Sequence, residues 1–116
     1  MTKITFFKRN GVYYGFKETG HSGYADAGQD IVCAALSAMT MLVVNTIEIS
    51  YASDVEYTID EDTTDVTVTV PSVLECSEDN MTKQFAVSGL IQGYFIQLMD
   101  MLEDYHDYLS VEEIEK

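Results

Sequence analysis

Residues 20–37 read GHSGYADAGQDIVCAALS, and at this stretch the chain changes its period. Before it, apolar and polar residues alternate as in a strand. After it, apolar residues recur every three or four positions as in a helix. A strand that gives way through a glycine-studded loop to a helix places the chain in the α/β class. The same stretch carries one of the 2 histidines, His21, and one of the 2 cysteines, Cys33.

Working outward toward the N-terminus, residues 2–9 alternate, with Ile4, Phe6 and Lys8 on one face. Asn10-Gly11 follows, and then Val12, Tyr14 and Phe16 alternate again. Asn-Gly between two such runs favours a type I′ turn, so residues 2–19 are predicted to form a hairpin. Toward the C-terminus, a helix is predicted from about Asp30 to Glu48. Ile31, Ala35, Ala38 and Leu42 lie along one side and Val32, Leu36, Met39 and Val43 along another. A helix with so little charge is expected to be buried against the sheet.

A second hairpin follows. Val55, Tyr57 and Ile59 alternate with acidic residues and threonine, and Val66, Val68 and Val70 do the same. Pro71 ends the last strand. Ser77 or Asn80 is placed to cap a second helix running from about Met81 to Tyr108. Its apolar residues are Phe85, Leu90 or Ile91, Tyr94, Phe95, Leu98, Leu102 and Tyr105. The tail VEEIEK reads as short, charged and peripheral. The expected order is ββαββα, an α/β sandwich of a mostly antiparallel sheet with two helices, in one domain spanning residues 1–116.

Composition narrows the function. Six Lys+Arg against 20 Asp+Glu give a net charge of −14, which repels phosphate backbones and favours a basic partner. Two widely separated cysteines form no disulfide framework. No uninterrupted apolar run of about 20 residues and no signal peptide are evident, so the expected compartment is the cytoplasm. No phosphate loop, dinucleotide fingerprint or paired cysteine spacing is present, and no metal or cofactor is expected.

Cys33 falls near the start of the predicted helix, where the helix end favours a thiolate. His21 ends the second strand and is placed to act as its general base. Asp30 has two readings, a helix cap or a group that orients His21. Ser37 shares a helix face with Cys33 and either supports the site or bonds back to the helix. Gly20, Gly23 and Gly28 allow turns and close approach of a ligand. Cys76 and His106 read as bystanders, the latter solvated at a helix end. Gly89 and Gly93 read first as sites of close packing on the sheet, and otherwise as a dimer contact.

The string G-H-x-x-Y-A-x-x-G-x-D-I-V-C-A-A-x-S, from Gly20 to Ser37, resembles the ribosomal-processing cysteine protease (Prp) family. The Asn-Gly hairpin, the acidic second hairpin and the closing helix extend the resemblance over essentially the whole chain, with Ser22 a departure where the family more often has alanine. The resemblance implies a cytoplasmic bacterial endopeptidase with a catalytic pair carried here by His21 and Cys33. It implies removal of an N-terminal extension from the precursor of a large-subunit ribosomal protein, cutting after an aromatic residue, and a homodimer. The loop of residues 22–32 is expected to move on substrate binding.

In the mechanism this suggests, His21 deprotonates Cys33, the thiolate attacks the scissile carbonyl, and backbone N–H groups near Val32–Ala34 stabilise the oxyanion. Tyr24, Tyr13 or Tyr14 is a candidate wall for the aromatic side chain, and an exposed strand edge can pair with an extended peptide. The rival reading is a non-enzymatic acidic dimeric module that binds a basic ribosomal partner, with Cys33 merely buried.

Overall fold

Asn10 and Gly11 both adopt positive φ, 52° and 80°. That is the type I′ geometry whose twist matches the strands on either side. The turn joins β1 (Thr2–Arg9) to β2 (Val12–Thr19) in the predicted hairpin. The computed structural model describes residues 1–20, 27–75 and 77–116, with the backbone alone for 27 and 28. The expectations for His21, Ser22, Gly23, Tyr24 and Cys76 therefore lie outside the described residues.

The register of the hairpin shifts between Phe7 and Lys8: Phe7 opposes Gly15, whereas Lys8 opposes Tyr13. Tyr14 is thus the extra residue of a β-bulge, and the bulge inverts the alternation beyond it. Tyr13 joins Phe16 on the helix-covered face and stacks on Phe95, with ring centroids 6.1 Å apart. Tyr14 turns to the other face, beside Phe7. Strict alternation of Val12, Tyr14 and Phe16 was expected, and this is a correction. A bulge leaves no mark in the hydrophobic pattern when both neighbours are tyrosine.

The second hairpin pairs β3 (Glu56–Ile59) with β4 (Val66–Thr69), and β4 lies against β2. The tail is not peripheral. Leu109–Glu115 form β5, which runs parallel to β1 from the pair Thr2 and Leu109 to the pair Lys8 and Glu115. The five-stranded order is β3-β4-β2-β1-β5, so the observed sequence of elements is ββαββαβ. The carboxylates that suggested a solvated tail meet β1 cations across the ladder. Glu112 accepts Lys3 Nζ at 3.0 Å, and Glu113 accepts Lys8 Nζ at 3.2 Å. Such partners lie more than a hundred residues away and have no local signature.

Helix α1 (Ala27–Asn45) continues into one π-helical turn (Thr46–Ser50), and α2 covers Met81–Tyr105. Both pack on one face of the sheet, where Phe6, Phe16, Tyr94 and Phe95 meet edge to face or tilted. Glu18 of β2, Thr40 of α1 and Tyr94 of α2 converge in the core. Thr40 Oγ1 donates to Glu18 Oε1 at 2.5 Å and Tyr94 OH donates to the same oxygen at 2.9 Å. The α/β sandwich with a mostly antiparallel sheet and two helices is the architecture expected from the sequence, with one strand added. Asn80 lies at the N-cap of α2 but does not cap it. Its side-chain amide instead donates to the Ser72 and Glu75 carbonyls, and Ser77 makes no side-chain cap either.

Only one side of each helix is buried. Val32, Leu36, Val43 and Ile47 face the sheet, whereas Ile31 and Leu42 of α1 are more than half exposed and Phe85 of α2 is 83% exposed. α1 is buried against the sheet as expected, but by one side only, and the apolar pattern of both helices extends beyond their buried faces. By length and composition the runs Gln29–Ser50 and Glu78–Tyr105 are apolar enough to cross a membrane, although neither is an uninterrupted apolar run. In this fold each is a core helix with one side on the sheet.

Candidate active site

Helix α1 begins at Ala27, three residues before the predicted start. Asp30 therefore lies within the first turn and is exposed, favourably placed near the positive helix end but not at the N-cap. Gly28 belongs to the backbone of the same turn. Cys33 is the seventh helical residue, one turn deeper than expected, and its thiol is half-buried. Ser37 follows one turn later and is exposed.

The earlier start changes the donor inventory. In an α-helix each N–H from the fifth residue onward bonds the carbonyl four residues back. The amides of Val32, Cys33 and Ala34 are thus committed to carbonyls of residues 28–30. They do not form the oxyanion site the sequence suggested. Within α1 the amides with no carbonyl four residues back are those of its first four residues, 27–30.

What meets the sulfur is a side chain. Gln29 is 7% exposed, and its Nε2 donates to Cys33 Sγ at 3.6 Å and to Thr2 Oγ1 at 3.1 Å. Thr2 is fully buried at the start of β1, and its N–H donates to the Tyr108 carbonyl at 2.9 Å. The sulfur is therefore tied, through one carboxamide, to the end of the sheet where β1 and β5 begin. Gln29 escaped the sequence reading although it stands four residues before Cys33, the spacing that singled out Ser37 on the other side. Thr2 carries no local signal, since only the tertiary fold brings it there.

At the same end of the sheet β2 closes on Gly20, with φ +83°. A Cβ on Gly20 would lie 2.4 Å from the Met1 carbonyl oxygen. No L side chain fits there, so the backbone leading into His21 is set by close contact with the chain start. Tyr13 and Tyr14 do not belong to this site. They lie at the turn end of β2, about 20 Å away at the ordinary rise per strand residue, and both are buried. Burial, with the bond Tyr13 donates to Glu113, pushes the Tyr13 phenol up to about 12. Of the three candidate tyrosines this leaves Tyr24, outside the described residues.

Behind β2, two residues before Gly20, the buried Glu18 cluster braces the same end. Burial, and then the neighbouring Glu18 carboxylate, raise the Tyr94 phenol well above its usual value. His106 is exposed at the end of α2, with Nδ1 3.2 Å from the Leu102 carbonyl oxygen. Gly89 and Gly93 have nothing within 4 Å of a Cβ position, so they do not serve close packing on the sheet. They border an apolar cleft between the helices lined also by Met39, Leu42 and Leu90.

Comparison with known proteins bears on this arrangement. The profile of a family described as cysteine protease Prp matches residues 1–110. The ribosomal processing cysteine protease Prp of Bacillus subtilis is 31% identical over 96 residues, covering 83% of this chain and 81% of that protein. Among solved structures, SMU.848 from Streptococcus mutans superposes with a TM-score of 0.80 at 23% identity, covering 100% of this chain and 99% of that one. An essential ribosomal processing protease Prp from S. aureus, in complex with a substrate peptide, superposes with a TM-score of 0.78 at 16% identity. It covers 98% of this chain and 100% of that one.

Proposed function

The chain belongs to the cysteine protease Prp family, and we propose that Cys33 is its nucleophile, with His21 as general base and acid. The protein is a cysteine protease of the kind that processes ribosomal proteins. Its substrate, in this reading, is the precursor of a large-subunit ribosomal protein with a basic N-terminal region, from which it removes the N-terminal extension after an aromatic residue. The observation that carries the reading is the half-buried Cys33 thiol, held by a side-chain donor at the sheet end where β2 delivers Gly20, the residue before His21.

His21 takes the thiol proton, and the thiolate adds to the scissile carbonyl carbon, forming the C–S bond as the π pair moves to oxygen. Collapse breaks the C–N bond, and the imidazolium gives its proton to the leaving amine. Water then hydrolyses the thioester. Asp30, Ser37, Gly20 and Gly28 support or orient this site, and Tyr24 contributes to the pocket for the aromatic side chain.

The net charge of −14 steers a basic precursor toward the enzyme, and the compartment that fits is the cytoplasm. The homodimer is supported by the unfilled α1–α2 cleft and by the exposed Leu42, Phe85 and Ile96. Family membership favours the protease over a non-enzymatic acidic module. The test is mass spectrometry of a ribosomal-protein precursor incubated with the wild type and with Cys33→Ala. Loss of the N-terminal fragment with the wild type alone is expected, and equal cleavage by the variant overturns the assignment of Cys33.

A further inference from the structure

Thiolate attack places a negative charge on the carbonyl oxygen, and a protease must supply donors for it. The helical amides of residues 32–34 are committed to their own helix, so a donor has to come from elsewhere around the sulfur. We propose that the side-chain amide of Gln29 is an oxyanion donor, and thus a catalytic residue of this protease. The inference rests on Cys33 being the nucleophile.

Three observations carry it. First, Gln29 Nε2 stands 3.6 Å from Cys33 Sγ. The oxyanion forms one bond beyond the carbon that sulfur attacks. A donor at that distance from the sulfur therefore reaches the shell where the oxygen comes to lie.

Second, the amide is fixed in advance. Gln29 is 7% exposed, and its nitrogen is anchored at 3.1 Å to Thr2 Oγ1. Thr2 is fully buried and locked by its own backbone bond to Tyr108. A donor that needs no reorientation at the moment of reaction stabilises the developing charge most.

Third, the local geometry leads there. Residues four apart on a helix share a face, and the Cα–Cβ bond tilts toward the N-terminus, so the Cys33 side chain leans back over Gln29. The carboxamide is also uncharged. It donates to an anion without setting up a fixed ion pair with the thiolate that His21 generates, and it does not itself titrate.

In the step itself no proton leaves Gln29. The C–S bond forms, the carbonyl π pair localises on oxygen, and the N–H of Gln29 hydrogen-bonds that oxygen. When the C–N bond breaks, the C=O bond re-forms and the hydrogen bond weakens to that of a neutral thioester carbonyl.

The test compares two reactions of Cys33 that differ in the oxyanion. Hydrolysis of a quenched peptide with an aromatic residue before the scissile bond forms one, whereas alkylation by iodoacetamide does not. In Gln29→Met, kcat is expected to fall about 100-fold with KM little changed, while the alkylation rate changes several-fold at most. Inhibition by a peptide aldehyde of the same sequence, whose adduct oxygen occupies the oxyanion position, should weaken in parallel with kcat/KM.

Gln29→Leu removes the donor with an uncharged side chain, so it decides the matter if the Met variant does not fold. It too should lose kcat and affinity for the aldehyde. Equal losses in alkylation and hydrolysis would mean that Gln29 acts on the sulfur and not on the oxygen, which overturns the inference. Hydrolysis at the wild-type rate overturns it as well. Cys33→Ala, assayed beside these variants, separates the two failures. An inactive Cys33→Ala with a fully active Gln29→Met removes only the inference, whereas an active Cys33→Ala removes the nucleophile and the inference together.

Discussion

Gly11 and Gly20 stand at opposite ends of β2 with nearly the same backbone conformation, φ +80° and +83°. Around Gly11 a Cβ would meet nothing within 4 Å, whereas at Gly20 it would meet the Met1 carbonyl oxygen at 2.4 Å. The two ends of the hairpin are built on different principles. The turn end is held by exposed charge: Arg9 donates to the Lys116 carbonyl, and Lys116 Nζ lies 4.7 Å from the Phe7 ring centroid. The site end is held by close backbone contact and by largely buried hydrogen bonds, namely Gly20 on Met1, Gln29 on Thr2 and Cys33, and the buried Glu18 cluster behind them. Charge can loosen with salt or pH and still leave a turn. The proposed nucleophile, which must meet a carbonyl within a fraction of an ångström, requires contacts that do not loosen.

The contrast is broken most directly at Gly20. Gly20→Ala should destabilise the protein by roughly 3 kcal/mol, from backbone strain together with a clash that only movement of the chain start relieves. Chemical denaturation measures the loss. Cleavage by the variant should fall further than its folded fraction explains, because the backbone entering His21 is displaced. A variant as stable and active as the wild type would show that the site end is no tighter than the turn end.

Next in size is Tyr94→Phe. It removes one of the two hydroxyl donors that the described residues supply to the Glu18 carboxylate. Loss of a buried hydrogen bond to an acceptor of this kind costs about 2 kcal/mol. The melting temperature should drop accordingly, with a smaller effect on kcat than at Gly20. A change below a few tenths of a kcal/mol would mean that the cluster does not brace the site end.

These two ends also differ in how far they were legible in the sequence. The turn end was readable because Asn-Gly between alternating runs specifies its own geometry from four residues. The motif from Gly20 to Ser37 singles out Cys33 as the candidate nucleophile, since a cysteine beside a strand-to-helix junction is unusual. Its surroundings were not readable. Thr2 reaches Gln29 only because β1 starts beside α1, and the first turn of α1 contains Gly28, a poor helix former that hides the true start. A three-residue error there moved Cys33 by one turn and assigned the wrong amides to the oxyanion. β5 was missed for a related reason. Its acidic residues look solvated until Lys3 and Lys8 are placed across the ladder, and parallel pairing has no hairpin signal to announce it. The apolar outer sides of α1 and α2 misled in the opposite direction, because periodicity says that a face is apolar without saying that this chain covers it.

Gly11→Ala sharpens the comparison from the other side. The conformational strain is the same as at Gly20, but the space is open, so the expected loss is about 1 kcal/mol with cleavage unchanged. A loss equal to that of Gly20→Ala would mean that φ alone, and not the Met1 contact, distinguishes the two positions.

The smallest effect lies in the charges that dock β5. The hydrogen bond from Tyr13 and then that from Lys8 hold the Glu113 carboxyl below its ordinary 4.5, and Lys3 and then Thr5 do the same for Glu112. A folded-state value lower than the unfolded one means that the unfolded chain binds protons first as the pH falls. The stabilisation is therefore fully present above the unfolded value and disappears as the pH drops through the folded value. Both carboxylates are solvent-exposed, so the effect is screened and small. It should show as faster amide exchange in Leu109–Glu115 on going from pH 5 to about pH 3, corrected for the intrinsic exchange rate. Glu113→Gln should reduce that acid response and leave exchange around Thr2 and Gln29 as it was, because the bond that joins these two runs between an amide and a hydroxyl. Acid loosening of equal size at both ends would show instead that the site end, too, depends on exposed charge.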